Sequence, residues 1–223
     1  MYHLDFGDSM MIKEKLKDFR YYLRDITINR RMRSRLINKD FSIITNDCLG
    51  GSLSKDLKLQ MRSPTRNFYF NAKDFIKFCK NLDHYLSCIP EEYNGDYKDE
   101  GSQYLMASLD DLILFLVHYK SIEQAQVEWK RRVLRVNKNN LFFVMNDRNF
   151  CTEDDISEFD SLPYQNKVFF SHVPLPQYKS VFYIRGSEED DYIKTITKEI
   201  HPWSIKRYYD QFDFVRWLNE GKK

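Results

Sequence analysis

Residues 41–51 read FSIITNDCLGG. A run of strand formers from Phe41 to Thr45 stops at Asn46, Asp47 and Cys48, and Gly50-Gly51 follow at once. Apolar, β-branched residues bounded by polar and glycine residues read as a buried strand that runs into a turn. Glycine there permits a tight turn or the close approach of a ligand. The stretch therefore delivers two polar side chains and a thiol to the edge of a sheet, with a helix expected over 52–60.

The same pattern recurs outward from it. Leu112–His118 (LILFLVH), Leu141–Met145 (LFFVM, then Asn146-Asp147) and Lys167–Ser171 (KVFFS, then His172) are continuous apolar runs of strand length. Continuous rather than alternating hydrophobicity suits strands covered on both faces. A helix over 104–118 competes with the first of these. Asn67–Phe70 reads as a short strand and Val181–Ile184 as an edge strand. Helices are expected over 10–37, over 72–86 with Asn71 as N-cap, and from Ser121 to about Val136 behind an S-x-x-Q capping box. A short helix capped by Thr152 and a last one over 203–219, with Pro202 in its first turn, complete the set. Residues 90–103 read as an exposed loop. Strands alternating with helices predict one α/β domain over 1–223: three layers, with a mostly parallel or mixed central sheet covered by helices on both faces.

Composition excludes several classes. Of 223 residues, 42% are apolar and 30% charged, as in an ordinary soluble globular chain. A net charge of +2 gives no field that would suggest nucleic acid. No apolar run reaches the ~18 residues of a membrane span, and the N-terminus lacks the apolar core of a signal peptide, so a cytoplasmic location is expected. Cys48, Cys79, Cys88 and Cys151 have no zinc-type or C-x-x-C spacing and are expected as thiols. In residues 10–37, Ile12, Leu16, Phe19, Leu23 and Ile26 share one helical face, and Lys and Arg dominate the rest. That segment reads as a solvated face over a core-packing stripe, or as a peripheral contact with anionic lipid at the inner face of the membrane.

In a parallel α/β sheet, ligands bind at the carboxyl ends of the strands. If the strands above run parallel, Asn46, Asp47, Cys48, His118, Asn146 and His172 share one rim. Cys48 is the candidate nucleophile, because a helix N-terminus favours thiolate; the alternative is a small residue packed behind the turn. His118 is the candidate general base or acid, or else a strand-end histidine bonded to backbone. Asp47 completes the catalytic set. Asn46, Asn146 and His172 are candidates for substrate binding. Gly50 and Gly51 offer amides to a phosphate or carboxylate, or make a plain turn. Ser63 and Thr65, between Arg62 and Arg66, suit an anionic group such as a sugar-nucleotide diphosphate, or a turn at Pro64. Arg131, Arg132 and Arg135 form a basic strip that binds substrate or lies solvated beside Glu128. Neither a P-loop nor a G-x-G-x-x-G fingerprint is present, so no cofactor is named. The acidic pairs Asp110-Asp111 and Asp154-Asp155 fall before a strand and in a helix first turn, so no metal is expected.

Asn46-Asp47-Cys48-Leu49-Gly50-Gly51, Ser63-Pro64-Thr65, Asp74-Phe75-Ile76-Lys77-Phe78, His118-Tyr119, Trp129 with Arg131-Arg132, and Asn137 with Asn140-Leu141-Phe142 form a combined pattern. In these residues the chain resembles a bacterial family of unknown function often labelled exopolysaccharide biosynthesis proteins. That family often has Asn where this chain has Asp47, and a carboxylate beside the sulfur opposes thiolate formation. The resemblance implies a role in making or modifying cell-surface polysaccharide. Two functions follow as expectations. One is a transferase using an activated sugar or acyl donor and a glycan acceptor. The other is a non-catalytic glycan- or partner-binding protein of the assembly machinery.

Overall fold

The computed structural model describes residues 6–60, 62–96, 104–148 and 150–221, with side chains from residue 14 onward. Its centre is a four-stranded, wholly parallel sheet made of β1 (Ser42–Thr45), β5 (Leu141–Asn146), β6 (Lys167–Ser171) and β7 (Val181–Tyr183), adjacent in that order. Successive residues of these strands point to opposite faces. Ile43, Phe142, Val144, Val168 and Phe170 enter one apolar cluster, with α3 (Leu49–Leu57) and α8 (Phe214–Glu220). Ile44, Phe143, Met145 and Phe169 enter the other, beneath α4 (Ala72–Lys80), α5 (Leu82–Ser87), α6 (Ile122–Val133) and α7 (Glu153–Ser161). Both faces of the sheet are thus covered, as an α/β fold requires, and the continuous apolar strand runs follow from it.

Leu112–Leu116 (β4) does not belong to this sheet. It pairs antiparallel with β3 (Leu105–Leu109), and β3 pairs with the two-residue β2 (Glu91–Glu92). The hairpin reads LMASL-DD-LILFL, two apolar runs around a two-residue turn, and Asp110 takes the left-handed backbone conformation there (φ 56°). Residues 97–103 of the expected 90–103 loop lie outside the described residues.

Asn67–Phe70 is not a strand but a seam between the two sheets. Tyr69 and Phe115 exchange backbone hydrogen bonds of 3.0 Å, and the next amide, Phe70, donates to the Asn46 carbonyl at the end of β1. Tyr69 and Phe115 also stack at 4.1 Å. This seam brings the end of β4 to the end of β1.

Several expectations need correction. The N-terminal helix is α1 (Phe6–Arg24), continued by a π-helical turn (Asp25–Asn29) and α2 (Arg30–Arg35). Most of its apolar stripe does not pack: Leu16, Phe19 and Ile26 are 46%, 56% and 42% exposed and Leu23 is half-buried, whereas Arg24 is buried. The Ile12 side chain lies outside the described residues. Burial of Arg24 is possible because Asp56 and Asp210 neutralise it at 3.0 and 2.6 Å. The 72–86 helix breaks at Asn81, and Asn71 makes no side-chain cap. Helix 203–219 shrinks to a 3-10 turn (Tyr208–Gln211) and α8, because Asp213 caps the amide of Arg216. Ser121 and Thr152 do cap α6 and α7, accepting from the amides of Gln124 and Asp155. Among the described residues no helix is long and apolar enough to cross a membrane.

Candidate active site

The carboxyl ends of β1, β5 and β6 meet on one rim. Asp47 accepts hydrogen bonds from the Leu49 amide and the Asn146 side chain, both at 2.8 Å. Asp147 accepts from His172 Nδ1 at 2.6 Å and from the amides of His172 and Ile193 at 2.7 and 2.8 Å. Asn46 is fully buried, donating to the Asn146 carbonyl at 3.4 Å. Asn146 and His172 therefore orient Asp47 and Asp147, and the parallel register of the strands sets them opposite one another.

His118 reaches this rim from the antiparallel sheet, not from a parallel strand as expected. Its Nε2 stands 3.9 Å from Cys48 Sγ, across 70 residues of sequence. Three contacts of Arg132 hold the imidazole's neighbourhood. Arg132, buried in α6, donates to the Arg66 carbonyl and to Tyr119 Oη, both at 2.6 Å, and pairs with Glu128 at 2.7 Å. Arg132 thus braces the segment that carries His118, whereas the sequence predicts that it binds substrate or lies solvated beside Glu128. Arg131 is exposed and pairs with Glu128 at 2.5 Å. Arg135 is partly buried just beyond the end of α6 and lines neither of the clefts beside His118.

The thiol is not a resting thiolate. Burial, then the neighbouring Asp47 carboxylate, push Cys48 up to about 11, and Arg66 only partly offsets them. Asp47 is itself raised by burial, against the Leu49 amide, Arg148 and Asn146. Adjacent acids removed from water each favour the neutral form.

Gly50 and Gly51 do not form a turn ahead of the helix; they lie inside the first turn of α3, which begins at Leu49. A Cβ at Gly50 would sit 3.3 Å from both Ile43 Cγ2 and Thr45 Cγ2, so this glycine lets α3 pack closely on β1. Cys48 occupies the N-cap position and its side chain makes no cap; the Leu49 amide of the first turn donates instead to Asp47. Ser63 and Thr65 are sealed inside: their hydroxyls lie 3.0 Å apart, and Thr65 Oγ1 accepts from the Thr45 amide. They brace β1 rather than face an anion.

The thiol and imidazole stand between two clefts. Cys48 opens on one of about 720 Å³, lined by Asp47, Asp147, Arg148, Cys151 and four aromatic rings, Tyr69, Tyr104, Phe150 and Tyr192. His118 opens on another of about 550 Å³, lined by Arg66, Arg131, Arg132, Glu123 and Glu128. Sequence reasoning missed Arg148, Cys151 and the segment 191–197 of the larger cleft. Arg148 directly follows the strand end at Asp147, a signal that was open to reading. The 191–197 segment is irregular, and Asp147 fixes it through the Ile193 amide, a tie with no local signature.

The DUF1919 family, described as a domain of unknown function, matches residues 20–219. The chain belongs to that family. It is also similar to a Haemophilus influenzae protein described as uncharacterized, with 38% identity over 194 residues, 87% of this chain and 91% of the relative. The cleft, the seam and both partners of the Cys48–His118 contact fall inside the span that DUF1919 matches.

Proposed function

We propose that this DUF1919 protein is an acyltransferase that modifies a cell-surface polysaccharide through a Cys48 thioester. The observation that carries the reading is the Cys48–His118 contact of 3.9 Å at the boundary between two clefts. A thiol held neutral next to an imidazole needs a base only at the moment of attack. Cys48 Sγ attacks the acyl carbonyl of a thioester donor and its proton passes to His118. The new sulfur–carbon bond forms, the donor's carbon–sulfur bond breaks, and His118 returns the proton to the leaving thiolate. A glycan hydroxyl then attacks the Cys48 thioester, giving its proton to His118 and thence to Sγ. Amides in the first turn of α3 suit the oxyanion of each tetrahedral intermediate.

The two clefts suit two substrates. The smaller one, with Arg66 and Arg131, suits the anionic carrier of an activated acyl donor. The larger one, with four aromatic rings, suits a pyranose acceptor that stacks on them. Acyl rather than glycosyl transfer is favoured because the reacting pair is a thiol and an imidazole. The polysaccharide context rests on the family resemblance, whereas work on the cytoplasmic side of the membrane rests on the sequence's lack of a long apolar run and on its basic N-terminal segment. Of the basic residues in the N-terminal segment, Arg24, Arg33 and Arg35 pair with Asp56 and Asp210, with Asp25 and with Asp213. Arg20 donates to the Pro202 carbonyl, so among the residues whose side chains are described any contact with anionic lipid falls to Lys15, Lys17, Arg30 and Arg31 beside the exposed Leu16, Phe19 and Ile26.

The aromatic cleft alone also favours a second reading, a glycan-binding protein without chemistry. Surface glycan from cells carrying Cys48→Ser or His118→Ala separates the two. The acyltransferase reading expects loss of an acyl substituent in both variants at normal protein level. Unchanged glycan in both removes these residues from any mechanism. Binding of free oligosaccharide, with no acyl donor stabilising the fold, favours the binding protein.

A further inference from the structure

A second set of ligand-bearing side chains lies at the far end of β4 from His118. His84 and Cys88 are four residues apart at the end of α5, one helical turn, and so share a face. Asp110 comes to them from the β3–β4 turn, 22 residues beyond Cys88. Its carboxylate Oδ2 lies 2.7 Å from His84 Nε2, and Cys88 Sγ lies 3.8 Å from the same nitrogen. All three ligand atoms fall within 4.8 Å of one another. The turn is held in place by its second residue: Asp111 pairs with Lys77 and accepts from Tyr85 Oη at 2.9 Å.

An ion pair joins His84 and Asp110, and the Cys88 thiol donates to the His84 carbonyl at 3.4 Å, a weak S–H bond that a metal–thiolate bond would replace. Bond lengths of about 2.0 Å to nitrogen and oxygen and 2.3 Å to sulfur place tetrahedral zinc ligands roughly 3.3–3.6 Å apart. The His84–Cys88 spacing is within a few tenths of that. The His84–Asp110 spacing widens by about half an ångström on taking up an ion between them, which two exposed side chains permit. One imidazole, one thiolate and one carboxylate select zinc over magnesium or calcium, which prefer oxygen alone.

We propose that His84 Nε2, Cys88 Sγ and Asp110 Oδ2 form a zinc site with a fourth position open to solvent. The sequence led to no expected metal because neither the Cys spacing nor the Asp110-Asp111 pair shows the hairpin that joins them. Zinc there staples α5 to the hairpin. It does not depend on the acyltransferase reading.

The test is a titration of the full chain, stripped with chelator, first with Co²⁺ and then with Zn²⁺. One equivalent of Co²⁺ is expected to give a thiolate-to-cobalt charge-transfer band, which one equivalent of Zn²⁺ displaces. Cys88→Ser abolishes the band, Cys48→Ser leaves it intact, and His84→Ala and Asp110→Asn each weaken zinc by about tenfold or more. Asp110→Asn changes only an exposed carboxylate, so it keeps the test valid if another variant fails to fold. No band, a band that survives Cys88→Ser or vanishes in Cys48→Ser, or unchanged affinity in both His84→Ala and Asp110→Asn overturns the proposal.

Discussion

The two ends of helix α3 handle buried charge in opposite ways. At its C-terminal end, Asp56 accepts from Arg24 at 3.0 Å, from Arg207 at 3.1 Å and from Tyr209 Oη, while Asp210 takes the rest of the Arg24 fork. Two cations meet two anions, and although Tyr209 and Asp210 line a cleft of about 490 Å³, that lining holds neither a thiol nor an imidazole. Burial opposes the Arg24 charge, yet Asp210, Tyr209 and Asp56 together raise its pKa. At the N-terminal end, Asp47 and Cys48 sit side by side with only Arg148 and Arg66 to offset them, and burial drives both toward neutrality. A charge-matched cluster fixes a fold. A cluster of like acids, opening on a cleft and touching an imidazole, is equipped to move a proton.

That contrast breaks first at Asp56. Asp56→Ala leaves Arg24 and Arg207 buried without their shared partner, and urea unfolding is expected to show a loss of about 3–5 kcal/mol. At the other end of the helix the large effect is on chemistry. His118 is exposed, so His118→Ala should leave the urea midpoint nearly unchanged while slowing acyl transfer on the order of 10²–10⁴-fold in a steady-state assay. Tyr209→Phe removes a hydroxyl that donates to Asp56 and accepts from Arg24 at 2.8 Å and Arg207 at 3.0 Å, and should cost at least about 1.5–3 kcal/mol by the same unfolding measurement. Gly50→Ala gains helix propensity, but its Cβ crowds Ile43 and Thr45. A net loss of about 1 kcal/mol is expected, with no change in the acid–base behaviour of the rim.

The smallest effect is the most specific. Iodoacetamide labelling of Cys48 in the folded protein should rise with a midpoint near pH 11 rather than near 9.0. The sign for stability follows. An unfolded thiol ionises first, so between pH 9 and 11 the unfolded state binds fewer protons and native stability falls as pH rises. Asp47→Asn removes the charge but not the burial, so the labelling midpoint should drop and stay above that of a free thiol.

The parallel sheet was legible because its strands announce themselves. Each is a short apolar run that ends in a polar residue, and the helices between them carry real caps at Ser121 and Thr152. The second sheet was not, because LILFLVH has the same composition as a parallel strand, and its partner LMASL is too mixed to stand out alone. Only the two-residue Asp110-Asp111 turn distinguishes the hairpin. The juxtaposition of Cys48 and His118 was expected from a shared sheet. It arises instead from the Tyr69–Phe115 seam, a tertiary contact invisible in any one segment. Arg24 and Arg132 defeated periodicity in two ways: Arg24 enters the interior because the distant Asp56 and Asp210 neutralise it, whereas Arg132 is neutralised locally by Glu128 and is drawn inward by Tyr119 and the Arg66 carbonyl. Gly50 was read as conformational freedom, whereas its value here is the missing Cβ.

Incubating the protein with acyl thioesters of coenzyme A, quenching in acid and weighing the intact chain asks the central question. The account predicts a covalent acyl group on Cys48 that is released by hydroxylamine, absent from Cys48→Ser, and formed slowly by His118→Ala. A glycan-acylating preparation whose chain carries no such adduct, and whose Cys48→Ser variant acylates as fast as the parent, would contradict it.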